Sequence, residues 1–155
     1  MKTLAIYPGS FNPFHVGHLN IVEKAERVFG KGNVVIAIGV NPAKIDSGED
    51  FNEKVLNLSN KIGRPVLFYK TFLHELIEKK ESEGYNVVLV RGLRNGNDLE
   101  YEDNQLKFIN DFKKDTTNVV FFRCDEKYSH ISSSAIRSLE SFRKGSSKEY
   151  LVWEK

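Results

Sequence analysis

Leu4-Ala-Ile-Tyr-Pro-Gly-Ser-Phe-Asn-Pro-Phe-His-Val-Gly-His18, continued by an amphipathic run to Phe29, is the stretch from which the architecture follows. Its first four residues are a short apolar run stopped by Pro8 and Gly9, the pattern of a strand buried on both faces. From 17 to 29 the period changes. Ile21, Val22, Ala25, Val28 and Phe29 fall on one helical face, and Glu23, Lys24, Glu26 and Arg27 on the other. Gly30 and Gly32 then stop the helix. A buried strand, a glycine-bearing loop and an amphipathic helix make the first half of a βαβ unit.

The same alternation runs outward along the chain. Apolar runs at 34–40, 66–69, 87–90 and 119–122 predict further strands. Helices are predicted over 51–62, 73–83 (Leu73, Leu76 and Ile77 inward), about 99–112, and 132–142, with Asp98 as the natural cap of the fourth. Strands alternating with helices imply an α/β fold, a Rossmann-like doubly wound sheet of five parallel strands, in a single domain over 1–155. Ligands of such sheets sit beyond the carboxyl ends of the strands, where the strand order reverses. The loops after strands one, two, four and five are therefore expected to make the site.

Composition narrows the function classes. At 155 residues, 40% apolar and 28% charged, the chain can build one sizeable core. A net charge of +2 with interspersed signs argues against a nucleic-acid binder. The single cysteine, Cys124, excludes an intrachain disulfide and a cysteine-rich metal site. No run approaches the roughly 20 apolar residues needed to cross a bilayer, and MKTLAIY is too short for a signal peptide. A cytoplasmic protein without membrane or nucleic-acid partners is expected.

The loop after the first strand carries the chemistry. Gly9 is read as permitting a sharp exit from the strand, and Ser10 offers a hydroxyl beside it. His15 and His18, three apart at a helix start, point the same way. Gly17 between them is read as clearing space for a ligand. A helix N-terminus attracts phosphate through its free N–H groups and dipole, and two imidazoles add donors that can carry charge. A zinc reading needs a third or fourth ligand, which neither His74 nor His130 supplies from an evident motif. No protein-held metal is expected.

Three other loops hold the remaining clusters. Lys44 follows strand two and can neutralise a phosphate, or be a solvated surface lysine. Arg91-Gly-Leu-Arg94, running on to Glu102, follows strand four. Its arginines suit phosphate bidentately, or pair with Glu100 or Glu102. Tyr128, Ser129, His130, Ile131, Ser132, Ser133 and Ser134 precede the last helix, where serines cap or bind a nucleotide phosphate. Arg137, one turn on, would face the same ligand.

The segment Gly-Ser-Phe-Asn-Pro-Phe-His-Val-Gly-His18 resembles the signature loop of the HxGH nucleotidyltransferase superfamily, whose acceptors include phosphopantetheine, nicotinamide mononucleotide and glycerol phosphate. Together with the Pro-Ala-Lys44 loop, Arg-Gly-Leu-Arg94 with Glu-Tyr-Glu102, and Ile-Ser-Ser-Ser134, the likeness sharpens to the phosphopantetheine adenylyltransferase family. That resemblance implies transfer of AMP from ATP to 4'-phosphopantetheine, giving dephospho-coenzyme A and pyrophosphate. The alternative is another acceptor, chiefly nicotinamide mononucleotide. It assigns catalysis to His18, Lys44 and Arg94, and acceptor binding to Ser10, Lys44, Leu73 and Arg91. ATP falls to Ser10, Phe11, His15, His18, Gly92, Leu93, Arg94, Glu102 and residues 128–134, with Mg2+ bound through ATP. A homo-oligomer, a hexamer, is also implied. His15 stands where many of these enzymes have threonine, the Lys44 loop lacks a second lysine, and the usual terminal helical extension after Gly145 is missing.

Overall fold

In chain order the computed structural model holds β1 (Lys2–Gly9), α1 (Val16–Phe29), β2 (Val34–Gly39), α2 (Phe51–Ile62), β3 (Val66–Tyr69), α3 (Leu73–Ser82), β4 (Tyr85–Leu93), α4 (Gly96–Lys113), β5 (Asn118–Arg123) and α5 (Ser133–Phe142). The structure describes residues 2–40, 51–94, 96–113 and 117–152, and excludes the side chains of 51, 96–99, 101 and 102. All strand pairs are parallel, in the order β3-β2-β1-β4-β5. Burial follows that order. The inner strands β1, β2 and β4 each carry a run of four or five buried residues, whereas edge strands β3 and β5 have none.

Side-chain alternation along the inner strands splits the core into two layers. On one face Ala5, Tyr7, Ile36, Ile38 and Val90 meet Ile21, Val22 and Ala25 of α1 and Leu58 and Ile62 of α2. On the other, Ile6, Val35, Ala37, Val87 and Leu89 meet Leu76 and Ile77 of α3 and Ile109 of α4. Arg64, leading from α2 into β3, grips Glu26 of α1 through Nε at 3.0 Å and Nη2 at 2.9 Å, a fork that ties the α2–β3 connection to α1 on the same face of the sheet.

The register decides where the sheet opens. β1 pairs with β4 only from Lys2↔Tyr85 to Ile6↔Leu89. Beyond that point Tyr7, Pro8 and Gly9 pair with β2, and Val90 to Leu93 pair with β5. The two central strands part at their carboxyl ends, at the point where the strand order reverses.

Four expectations are corrected. β4 does not stop at Val90, because pairing with β5 through Leu93↔Arg123 keeps Arg91, Gly92 and Leu93 in the strand. Asp98 is not the cap of α4 but lies within its first turn, since the helix begins at Gly96. Val28 is exposed rather than inward; it lies at the margin of the apolar stripe in the last turn of α1. Gly9 has no left-handed backbone. The positive φ of this loop, +46°, belongs to Phe11.

Candidate active site

The parted ends of β1 and β4 open into a cavity of about 570 Å3, within the range of small-ligand sites. Its walls are the end of β1 with Ser10 and Phe11, the first turn of α1, residues 91–93 of β4 with Arg94 just beyond, Cys124, and the start of α5 with Tyr128 and Ile131.

The first turn of α1 is built by its own histidines. His15 is the N-cap, with extended backbone, and its Nδ1 accepts from the Gly17 N–H at 3.1 Å. In return, His18 Nδ1 accepts from the His15 N–H at 3.1 Å. This is a capping box with imidazoles in place of the usual hydroxyl and carboxamide. The rings stack, centroids 3.7 Å apart. Because each Nδ1 is an acceptor, each neutral ring carries its proton on Nε2 and presents that N–H as its donor.

Aromatic side chains enclose the pair. Phe11 stands edge-on to His18 at 4.9 Å and 90°, Phe14 lies at 5.3 Å, and Tyr7 at 6.4 Å. Burial pushes the His15 pKa down to about 4, with Arg94 adding to the effect. The same burial, with His15 and Arg94 beside it, holds His18 well below the usual imidazole range. At neutral pH both rings are therefore uncharged donors. Standing positive charge at the cavity comes from the arginines of its rim. Burial likewise raises the thiol of Cys124 above its ordinary value, keeping it protonated in the wall.

Three glycines of the cavity are packed closely by neighbouring side chains. A Cβ on Gly17 would lie 3.0 Å from His15 Cε1, and one on Gly9 2.9 Å from the Phe11 ring. On Gly92 it would lie 2.9 Å from Ile21 Cγ1. Each glycine thus makes room for a neighbouring side chain, and all three also line the cavity.

Helix α5 closes the far wall. Ser132 caps it, its Oγ accepting from the Ala135 N–H at 3.0 Å. Ser133 Oγ donates to the Pro13 carbonyl at 2.9 Å, and Arg137 Nη1 donates to the Asn12 carbonyl at 2.5 Å. The loop after β1, which contains a cis Asn12–Pro13 bond, is thus tied to the last helix.

Of the residues the sequence nominated, Ser10, Phe11, His15, His18, Arg91 to Arg94, Tyr128 and Ile131 to Ser134 line this cavity. Ser129 and His130 do not. Ser129 Oγ donates to the Glu126 carbonyl, and the His130 ring meets Tyr150 edge-on. Leu73 opens α3 and packs with the second core layer, away from the cavity walls. Lys44 lies outside the described residues, as does the side chain of Glu102. Among the described residues, no three His, Cys, Asp or Glu side chains converge as a metal site, and no helix is long and apolar enough to cross a membrane.

A helix N-terminus, two Nε2–H donors and flanking arginines form a phosphate-binding arrangement. The chain matches the family described as cytidylyltransferase-like over residues 6–139. It is 37% identical to a phosphopantetheine adenylyltransferase of Mycoplasma mycoides subsp. mycoides, over 93% of this chain and all of that one. It is 32% identical to a phosphopantetheine adenylyltransferase of Clostridium botulinum, over 92% of this chain and 84% of that one. The chain belongs to the phosphopantetheine adenylyltransferase family. Solved structures also share this family's fold. One is a bifunctional NMN adenylyltransferase/ADP ribose pyrophosphatase from Francisella tularensis (TM-score 0.67, 15% identity, 100% of this chain, 46% of that one).

The His-x-Gly-His signal of this phosphopantetheine adenylyltransferase relative stands directly in its sequence, but other wall residues do not show themselves there. Tyr7 was hidden in an apolar run, although a tyrosine at the carboxyl end of a buried strand can bring a polar tip to the rim. Cys124 was read only for its redox meaning, yet its place directly after β5 marks it as a wall residue.

Proposed function

We propose that this chain transfers AMP from ATP to 4'-phosphopantetheine, forming dephospho-coenzyme A and releasing pyrophosphate. An oxygen of the acceptor phosphate attacks the α-phosphorus in line; the new P–O bond forms as the bond to the pyrophosphate oxygen breaks. That acceptor oxygen is already ionised at neutral pH, so no general base is needed, and the work is positioning and charge stabilisation. His18 Nε2–H and the Arg94 guanidinium are assigned to the α-phosphate. Ser10, Lys44 and Arg91 are assigned to the acceptor, and the N-terminus of α5, with Gly92 and Leu93, to ATP. The observation that carries this reading is the imidazole capping box, which delivers two neutral N–H donors at a helix N-terminus facing arginines. The donor set of N–H groups and guanidinium suits phosphate oxygens rather than a resident cation. Mg2+ is therefore proposed to enter on ATP, where it would neutralise phosphate charge. The substrates are water-soluble, which fits a cytoplasmic enzyme.

Pyrophosphate release from ATP, with phosphopantetheine, nicotinamide mononucleotide or glycerol phosphate supplied separately, tests the assignment. Turnover is expected with phosphopantetheine; turnover with nicotinamide mononucleotide alone would overturn the acceptor.

A further inference from the structure

On the side of α1 facing β5, a second group of polar side chains converges outside the cavity. Asn20 Nδ2 donates to Asp125 Oδ2 at 2.9 Å, and the Asp125 N–H donates back to Asn20 Oδ1 at 2.8 Å. One turn further along α1, Lys24 Nζ lies 2.9 Å from Asp125 Oδ1 and also bonds the Arg123 carbonyl. Four contacts thus fix the exit of β5 to the helix whose first turn carries His15 and His18. From this point a relay of backbone bonds leads toward the cavity: Tyr128 N–H to the Asp125 carbonyl, Ser129 to Glu126, and Ile131 to Tyr128. The far end of the same segment is held by Ser133 on Pro13 and Arg137 on Asn12. Segment 125–137 is therefore a strap anchored at both ends to the β1–α1 unit.

We propose that Asn20, Lys24 and Asp125 form a positioning clamp that sets the separation between His18 and the nucleotide-binding segment 128–134. This rests on the nucleotide-transfer reading above. The Asp125 side chain is 47% exposed, so its ion pair adds little to stability. What the reciprocal bonds do supply is geometry, since they fix Asp125 in translation and rotation against α1. The neighbouring Lys24 and Asn20 also hold the Asp125 carboxyl below its ordinary pKa, so it stays an acceptor throughout the neutral range.

The test compares Asn20→Ala, Asp125→Ala and the exchanged pair Asn20→Asp with Asp125→Asn. The exchange reverses the side-chain hydrogen bond and keeps a carboxylate one turn from Lys24. ATP affinity is read by calorimetry, kinetic constants by pyrophosphate release, and folding by thermal unfolding. Each alanine variant is expected to lose about tenfold in both ATP affinity and kcat, with the phosphopantetheine KM within about twofold. Its Tm should stay within about 3 °C. The exchanged pair should recover most of the ATP affinity, which a purely stabilising role would not require. Unchanged ATP affinity in the alanine variants overturns the clamp, as does an exchanged pair no better than either of them. ATP binding without turnover on phosphopantetheine overturns the acceptor assignment alone, and the clamp is then judged on ATP affinity. No ATP binding by the unsubstituted chain overturns both.

Discussion

Two helices start at the cavity, and their first turns solve the same problem with different chemistry. Helix α5 is capped by Ser132, whose hydroxyl accepts one backbone N–H. Helix α1 is capped by His15 and His18, each of which accepts one through Nδ1. A serine cap leaves its hydroxyl proton free to rotate, and other short polar residues can replace it. An imidazole cap commits one nitrogen and so dictates which one keeps the proton. In α1, then, folding the helix and choosing the tautomer are one event, whereas in α5 the cap and the ligand contacts are separable.

Breaking the α1 cap at His18, the member proposed to act on the α-phosphate, should have the largest effect. His18→Ala is expected to lower kcat by about 10³ while moving the ATP KM by no more than about threefold, because the donor acts on developing charge. Steady-state pyrophosphate release separates the two constants, and equal losses in both would reassign His18 to ground-state binding.

Acid should reveal the contrast next. The folded His15 pKa is about 4 against about 6.5 unfolded, and His18 is depressed in the same direction. Between those values the unfolded chain binds more protons, so stability is complete above about pH 6.5 and declines as pH falls toward 4. For His15 alone the loss amounts to about 3 kcal/mol. Denaturant titrations from pH 7.5 to 4.5 measure it, and the histidine contribution should vanish in a His15→Asn, His18→Asn double variant.

His15→Asn alone sharpens the comparison, because asparagine is a competent cap without an imidazole. Stability at pH 7.5 should stay within about 0.5 kcal/mol, whereas kcat should fall about tenfold as His18 loses its stacking partner. Ser132→Ala should show the smallest kinetic effect: about 1 kcal/mol of stability lost in urea unfolding, with kcat within about threefold. A larger kinetic loss there would mean that the Ser132 hydroxyl contacts the nucleotide.

How far the sequence could be read depended on the range over which each feature is determined. Buried strands and the faces of α1 and α3 are local patterns, so the five-strand alternation was legible. The carboxyl end of β4 was not, because Arg91-Gly-Leu93 has a loop-like composition and is kept extended by β5, some 30 residues away. The cavity was legible where motif residues converge: His18, Arg91, Arg94 and Ser132 all reach its walls. What binds those walls together was not, since Asn20 with Asp125 and Ser133 with Pro13 are separated by 105 and 120 residues. The glycines illustrate the same limit. Gly92 signals that something comes close, but only packing reveals that it is Ile21.

The bonds from Ser133 and Arg137 back to the Pro13 and Asn12 carbonyls carry a consequence for synthesis of the chain. A ribosome delivers all five strands once Arg123 has emerged, and the sheet can then assemble. The loop made first still waits for a helix made nearly last. A chain cut short between 125 and 132 would hold the five strands and both His15 and His18, yet have no far wall to the cavity. Activity would arrive only with the tenth element, the helix that closes the site.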